Sequence, residues 1–298
     1  MDGILLMAYG TPNGMDDIER YYTMIMRGKR PSYIQLDRLR ERYRMIGGVS
    51  PLLKITERQA SGLESKIRSN GEDAKVYTGM KYSKPYIREA IATALDDGVD
   101  NLVCIPIAPF YSKIGTGSYY EHVSKALIES GSDIRVVRAE SWNMEPGLID
   151  AWSERISEVG IDRSYVLLFT AHSMPITDED NLSRYRNELL QTSNAVQGGF
   201  GNKWSLSFQS RADMGGEWIG PDVKVQIRGL GLNGVSKIAI APIGFVSDNL
   251  ETMYDIGIGC RELCAELGIE VTISGMPNDS DGVIRAIYNT YKRISPTR

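Results

Sequence analysis

The chain has 298 residues, 42% of them hydrophobic, enough to close a sizeable core and to form two domains of ordinary size. A formal net charge of −4 provides no broad basic surface and argues against nucleic acid as a partner. Three cysteines, Cys104, Cys260 and Cys264, make no disulfide framework and cannot close a zinc or iron–sulfur site, so buried thiols in a reducing compartment are expected.

Short apolar runs alternate with longer stretches of helical period, the pattern of parallel α/β sheets. The first run, Gly3–Ala8, lacks a preceding basic region and is too short for a signal peptide. The spacing then predicts strands over Ala74–Gly79, Leu102–Ile107 and Ile134–Val137. Between them, Lys84–Asp97 sets Ile87, Ala90, Ile91, Ala94 and Leu95 on one helical face, with Gly98 as the stop. The second half offers strands over Tyr165–Thr170, Trp204–Phe208, Lys237–Ala241 and Ile269–Ser274. No stretch reaches the ~20 apolar residues that cross a bilayer. A cytoplasmic monomer without a transmembrane segment is expected, with peripheral membrane contact left open.

The halves echo each other. Leu5-Leu6-Met7-Ala8-Tyr9-Gly10-Thr11-Pro12 resembles Leu168-Phe169-Thr170-Ala171-His172-Ser173-Met174-Pro175, and Ile105–Phe110 resembles Ile240–Phe245. This reads as a duplicated βα domain, divided as 1–145 and 146–298. A single larger doubly wound sheet is the competing arrangement. Ligands of open parallel sheets bind beyond the carboxyl ends of the strands. Tyr9, His172 and the Gly244–Glu251 segment all follow strand ends, so they are expected to face one another across a cleft.

Histidine is scarce. His122 sits in the helical stretch Ser118–Glu129 and reads as structural, whereas His172 stands at a strand end where a base or metal ligand is useful. In Ser247–Asp255, a helix would set Asp248, Glu251 and Asp255 on one face. Asp248 followed three residues on by Glu251 also reads as a capping box, which needs no ligand. No Gly-x-Gly-x-x-Gly follows the first strand, and no Walker lysine or Gly-x-Ser-x-Gly elbow occurs. One histidine with carboxylates from other strand ends suits a loosely held divalent metal such as Fe²⁺.

These motifs resemble the ferrochelatase family. Phe169–Pro175 is similar to its histidine motif and Pro242–Thr252 to its acidic motif. Leu6–Pro12, Asp17–Tyr22, Arg42-Tyr43 with Ile46–Leu52, and Glu217–Asp222 resemble the Gram-positive type, so the resemblance covers the whole chain. It implies a chelatase-like α/β fold: two similar Rossmann-like domains, each a four-stranded parallel sheet flanked by helices, with the active site in the cleft between them. It further implies His172 and Glu251 as the catalytic and iron-binding pair, Tyr9 as an axial iron ligand, and Asp255 as a proton or metal relay. By the same resemblance Tyr9, Arg27, Arg42, Tyr43, Ser50 and Tyr119 contact the porphyrin, and ferrous iron is a substrate. No iron–sulfur cluster is expected. Gly259 stands where relatives carry a further acid, which puts an outer metal site in doubt; Met26 stands where they carry arginine, and Tyr82 and Phe110 where they carry histidine, which weakens the transfer of supporting roles around the site. Coproporphyrin III is favoured over protoporphyrin IX. A cobalt chelatase of corrin synthesis and a non-catalytic tetrapyrrole-binding protein stay open as alternatives.

Overall fold

The computed structural model describes residues 2–177, 179–211 and 215–295. Strand β1 (Asp2–Ala8) is buried at all seven positions, as an aliphatic run flanked on both sides must be in a parallel sheet. Together with β2 (Ala74–Met80), β3 (Asn101–Pro106) and β4 (Arg135–Arg138) it forms a parallel sheet in the order β2-β1-β3-β4. Strands β5 (Val166–His172), β6 (Trp204–Gln209), β7 (Lys237–Ala241) and β8 (Glu270–Ile273) repeat that plan as β6-β5-β7-β8. Two separate sheets of one topology exclude the single larger sheet.

The helices flank these sheets: α1 (Ile18–Ile25), α2 (Tyr33–Met45), α3 (Leu52–Ser69), α4 (Ile87–Asp96), α5 (Ser118–Ser130), α6 (Pro146–Ser157), α7 (Glu179–Gln197), α8 (Val223–Leu232), α9 (Arg261–Glu266) and α10 (Asp281–Ile294). A π-helical segment, Thr252–Cys260, leads into α9. Two boundaries differ from the sequence expectation for identifiable reasons. Helix α4 begins at Ile87, not Lys84, because a residue before proline avoids helical backbone and Glu89 accepts the Tyr86 N–H at 2.9 Å. Strand β5 runs two residues past Thr170, because Gln209 of β6 pairs with His172 and accepts the Ser173 N–H at 2.7 Å.

One core cluster joins the sheets, with Leu6, Ile105, Trp142 and Trp152 packed into the same apolar body as Leu167, Phe169 and Ile243. The chain crosses back at its end, where α10 packs on α6, α3 and β3. The crossing is close enough that a Cβ on Gly147 would meet the Gly282 carbonyl at 2.3 Å. A division after residue 145 therefore separates the sheets but not the helices around them. All three cysteines are buried and unpaired. Among the described residues, no helix is long and apolar enough to cross a membrane.

Candidate active site

The carboxyl end of β1 delivers Tyr9, 41% exposed, to the cleft. The turn that follows needs glycine: Gly10 has φ +98°, and a Cβ there would lie 2.6 Å from Ser83 Oγ. Tyr21 Oη donates to the Gly10 carbonyl at 3.0 Å, and the Thr11 N–H donates to Ser83 Oγ at 3.1 Å. The backbone N–H groups of Lys81 and Tyr82 donate to Ala8 and Tyr9 at 3.0 and 3.1 Å. Tyr9 and Tyr82 thereby pack ring edge to face at 4.8 Å. Tyr43 is buried behind them, its hydroxyl 3.4 Å from Thr11 Oγ1. Burial raises the Tyr9, Tyr21 and Tyr43 phenols above their ordinary values, and the Glu251 carboxylate adds to all three. Glu251, from the second half of the chain, thus acts on the tyrosines at the Tyr9 end of β1.

His172 ends β5, half-buried. Its Nδ1 lies 2.5 Å from the Ser173 carbonyl oxygen, which can only accept, so Nδ1–H is the donor. Tyr185 Oη donates to the His172 carbonyl at 3.2 Å, and Phe245 meets the imidazole edge-on at 6.5 Å. Gly244 brings the acidic segment against β5: its N–H donates to Thr170 O at 3.0 Å, and a Cβ would lie 2.5 Å from Ala171 Cβ.

The acidic segment departs from both expectations made for it. Asp248 precedes the helix and exchanges two hydrogen bonds with the Asn278 side chain, at 2.9 and 2.8 Å. It therefore shares no helical face with Glu251. The cap lies one residue further on, where Asn249 Oδ1 accepts the Thr252 N–H at 2.9 Å and Thr252 Oγ1 accepts the Asn249 N–H at 3.0 Å. Glu251 is thus released from capping; it is half-buried and makes no hydrogen bond or ion pair among the described residues. The π winding beyond it carries Asp255, whose two oxygens both accept from Arg42 Nη2, at 2.8 and 2.9 Å, while Ser210 Oγ donates to Oδ2. Ser210 stands in the left-handed region at φ +62°, and the Arg42 guanidinium stacks on Tyr254 at 4.9 Å. Leu250 and Tyr254 pack with Ile18, Leu36 and Tyr43, which seats this helix on α1 and α2.

The remaining expected contacts divide. Ser50 is buried and its Oγ accepts the Leu52 N–H at 3.3 Å, whereas Arg27 is exposed just after α1 at φ +56°. Tyr119 is buried beside a residue the sequence reading missed, Lys81. Only 5% exposed, Lys81 donates to Ser118 Oγ at 2.7 Å, and its ammonium lies 5.4, 4.8 and 5.2 Å from the rings of Tyr9, Tyr82 and Tyr119. Burial pushes this ammonium down to about 8, opposed by the Glu121 carboxylate and reinforced by Arg27. Its one signal in sequence was position, directly after β2 at a carboxyl edge. His122, read as structural, is half-buried and packs edge-on to Tyr82 at 6.0 Å.

A family model described as Ferrochelatase matches residues 1–294. The chain belongs to the ferrochelatase family. Ferrochelatases are enzymes of heme biosynthesis that insert metal into a porphyrin. A coproporphyrin III ferrochelatase of Geobacillus sp. (strain WCH70) is 35% identical over 295 residues, which covers 96% of this chain and 95% of that one. That of Halalkalibacterium halodurans is 37% identical, covering 93% and 91%, and that of Bacillus subtilis 33%, covering 96% and 95%. Among solved structures, the sirohydrochlorin chelatase SirB from Bacillus subtilis subspecies spizizenii in complex with cobalt superposes with a TM-score of 0.61 at 13% identity, over 98% of this chain and 94% of that one. CbiX, the terminal enzyme of siroheme biosynthesis in denitrifying bacteria, gives 0.56 at 11%, over 99% and 100%. At such identities these two show the shared chelatase fold alone. A full-length match to ferrochelatases disfavours both the cobalt chelatase and the non-catalytic binder.

Proposed function

We propose that this ferrochelatase inserts Fe²⁺ into coproporphyrin III, with His172 and Glu251 removing the two pyrrole protons that the metal replaces. The observation that carries the reading is Glu251: a half-buried carboxylate with no capping duty, on a helix whose Leu250 and Tyr254 pack with Tyr43 of the first half. His172 supplies an imidazole whose Nδ1–H is committed to the Ser173 carbonyl, so Nε2 is the nitrogen left to meet the ring. In this reading His172 takes one pyrrole proton and Glu251 takes the other, and Fe²⁺ closes four bonds to the ring nitrogens. Tyr9, on the opposite lobe, approaches the other face and binds the iron axially through its phenol oxygen.

The assignments to the porphyrin are graded by geometry. Arg27 is exposed and free to meet a propionate with a guanidinium fork. Ser50 and Tyr119 keep hydroxyl hydrogens to donate at the cleft wall, and Tyr43 backs Tyr9. Arg42 and Ser210 occupy both oxygens of Asp255, so we assign this trio first to bracing the helix that presents Glu251. Coproporphyrin III is favoured because the relatives similar over the full length carry that name and the segment Arg27–Arg44 offers several guanidinium groups. We further propose a monomer that works in the cytoplasm.

Anaerobic Fe²⁺ insertion, measured with coproporphyrin III and protoporphyrin IX side by side, tests the reading. The expected result is a higher kcat/KM for coproporphyrin III that falls as salt is added. Equal turnover of both at every salt concentration refutes the substrate, and turnover of neither refutes the activity.

A further inference from the structure

We infer that Gln59, on α3 in the first half of the chain, is a positioning residue for Glu251: its side-chain amide ties the turn that launches the Glu251 helix to the opposite lobe. The inference rests on the proposed catalytic role of Glu251 and deepens it.

Gln59 is fully buried on the face of α3 that carries Ile55, Ala60 and Leu63, where an apolar side chain would pack as well. Its Nε2 donates to Ser247 Oγ at 3.0 Å and to the Asn278 carbonyl at 2.8 Å, contacts that span 188 and 219 positions of the chain. Its Oε1 is buried and has no hydrogen-bond partner among the described residues. An amide committed at one end and unpaired at the other is a poor device for stability, because the unpaired oxygen has given up water without return. The neighbouring Arg58 already grips Asp279 through two hydrogen bonds, at 2.8 and 3.0 Å, so α3 is joined to this turn without Gln59. What Gln59 adds is a hold on Ser247 and Asn278.

Both of those residues lead to Glu251. On one leg, the Ser247 carbonyl accepts from Asn249 Nδ2 at 3.2 Å, and Asn249 in turn caps the Thr252 N–H at 2.9 Å. On the other, Asn278 clasps the same turn: its N–H donates to Val246 O at 2.7 Å, its Oδ1 accepts the Asp248 N–H at 2.9 Å, and its Nδ2 donates to Asp248 Oδ2 at 2.8 Å. Asp248 and Asn249 lead directly into Leu250 and Glu251, so the two legs converge on the turn that presents the carboxylate. Ser247, Asn249 and Thr252 are buried, which strengthens these bonds and keeps water from replacing them. At its own start α3 fixes Ser50, whose Oγ accepts the Leu52 N–H. One helix therefore carries a residue proposed to meet the porphyrin and the amide that holds the Glu251 turn. Removing the amide releases both legs from α3 together, and a displacement of about 1 Å at a reacting group costs on the order of 10²-fold in rate.

The test is a double-substitution cycle on the full chain, read by anaerobic Fe²⁺ insertion into coproporphyrin III, with porphyrin binding by fluorescence quenching on the same preparations. Gln59→Met, of similar volume, should lower kcat about 10- to 10²-fold and leave the porphyrin Kd within about twofold of the parent. Ser247→Ala, which breaks one leg and removes a single buried atom, should lower kcat by at least about threefold. Arg58→Ala, which breaks the exposed bridge to Asp279, should leave kcat within about twofold. In a Glu251→Gln background Gln59→Met should have no further effect, because it acts only through that carboxylate. A parent-like kcat in Gln59→Met, or in Ser247→Ala where Gln59→Met does not fold, overturns the positioning role. Equal kcat losses in Gln59→Met and Arg58→Ala, a Kd that rises in step with the kcat loss, or an additive loss on Glu251→Gln overturn it as well, and all of these leave the role of Glu251 standing. Parent-like turnover in Glu251→Gln overturns that role and this inference together.

Discussion

Glu251 sits where a helix cap and a catalytic carboxylate predict opposite behaviour, and a pair of substitutions separates them. Glu251→Gln keeps the shape and a hydrogen-bonding oxygen but removes the charge. The structure gives this side chain no hydrogen bond to lose, so the expected stability change is within about 0.5 kcal/mol. Asn249→Ala, two residues earlier, removes the oxygen that accepts the Thr252 N–H, and a lost cap costs about 1 kcal/mol, within a range of about 0.5–2. In a chain of this length that corresponds to roughly 2–4 °C in Tm, or somewhat less. Activity should divide the other way. Loss of a positioned proton acceptor costs about 10²- to 10⁴-fold in turnover, whereas a weakened cap leaves the carboxylate chemically intact. Thermal melts and anaerobic Fe²⁺ insertion on the same preparations give both readouts. A Glu251→Gln protein that keeps more than a tenth of the parent rate, or melts several degrees lower while Asn249→Ala does not, would return the cap to Asp248 and Glu251 and end the catalytic assignment.

Two further outcomes follow from single side chains. His172→Ala should lower turnover by at least about 10²-fold while porphyrin fluorescence is still quenched on binding, because the imidazole acts on a ring held mainly by other groups; loss of binding in step with turnover contradicts this. Lys81→Met should raise Tm at pH 7: an amine titrating at about 8 instead of its ordinary 10.5 costs the folded state about 3 kcal/mol when charged, in part offset by the lost Ser118 hydrogen bond. The unfolded chain binds more protons between those two values, so that cost is complete below pH 8 and fades as pH rises toward 10.5; a variant that melts lower than the parent at pH 7 refutes the buried-charge argument.

The central strands β1, β3, β5 and β7 were legible because each is an apolar run buried along nearly its whole length, and the duplication was legible because their ends repeat the same small-residue and proline pattern. What escaped the sequence depends on partners far along the chain. The cap register could not be read locally, since Asp248 and Asn249 are both good caps. Asn278, thirty residues away and held at φ +50°, decides it by tying down Asp248. The end of β5 was missed for a similar reason, because Gln209 extends the ladder to His172 from another strand. Arg42 and Asp255 were each singled out, but their pairing spans 213 positions and no local pattern announces it. Lys81 offered no signal beyond its position after β2, because its enclosure is assembled from a loop after β1, a loop after β2 and the start of α5.

The local rules of folding are broken most densely around the cleft. Arg27 and Ser210 hold left-handed backbone that glycine or asparagine would adopt more readily, the helix that begins at Leu250 winds as a π-helix instead of an α-helix, and Lys81 is charged in an apolar wall. Each departure is unfavourable alone, and those at Ser210 and in the π-helix have contacts that use them. Ser210 turns left-handed and its hydroxyl meets Asp255; the π winding carries Asp255 into reach of Arg42; Arg42 in turn seats the Glu251 helix on α2 of the other lobe. The helix bearing Glu251 is therefore held by tertiary bonds from both lobes and by a cap to which Glu251 contributes nothing. A carboxylate meant only to stabilise its own helix would need none of this. Under the proposed role, a carboxylate that stays unpaired and half-buried needs its neighbours to satisfy the backbone, brace the helix and leave its two oxygens free, and Asn249, Arg42 and Ser210 divide that labour.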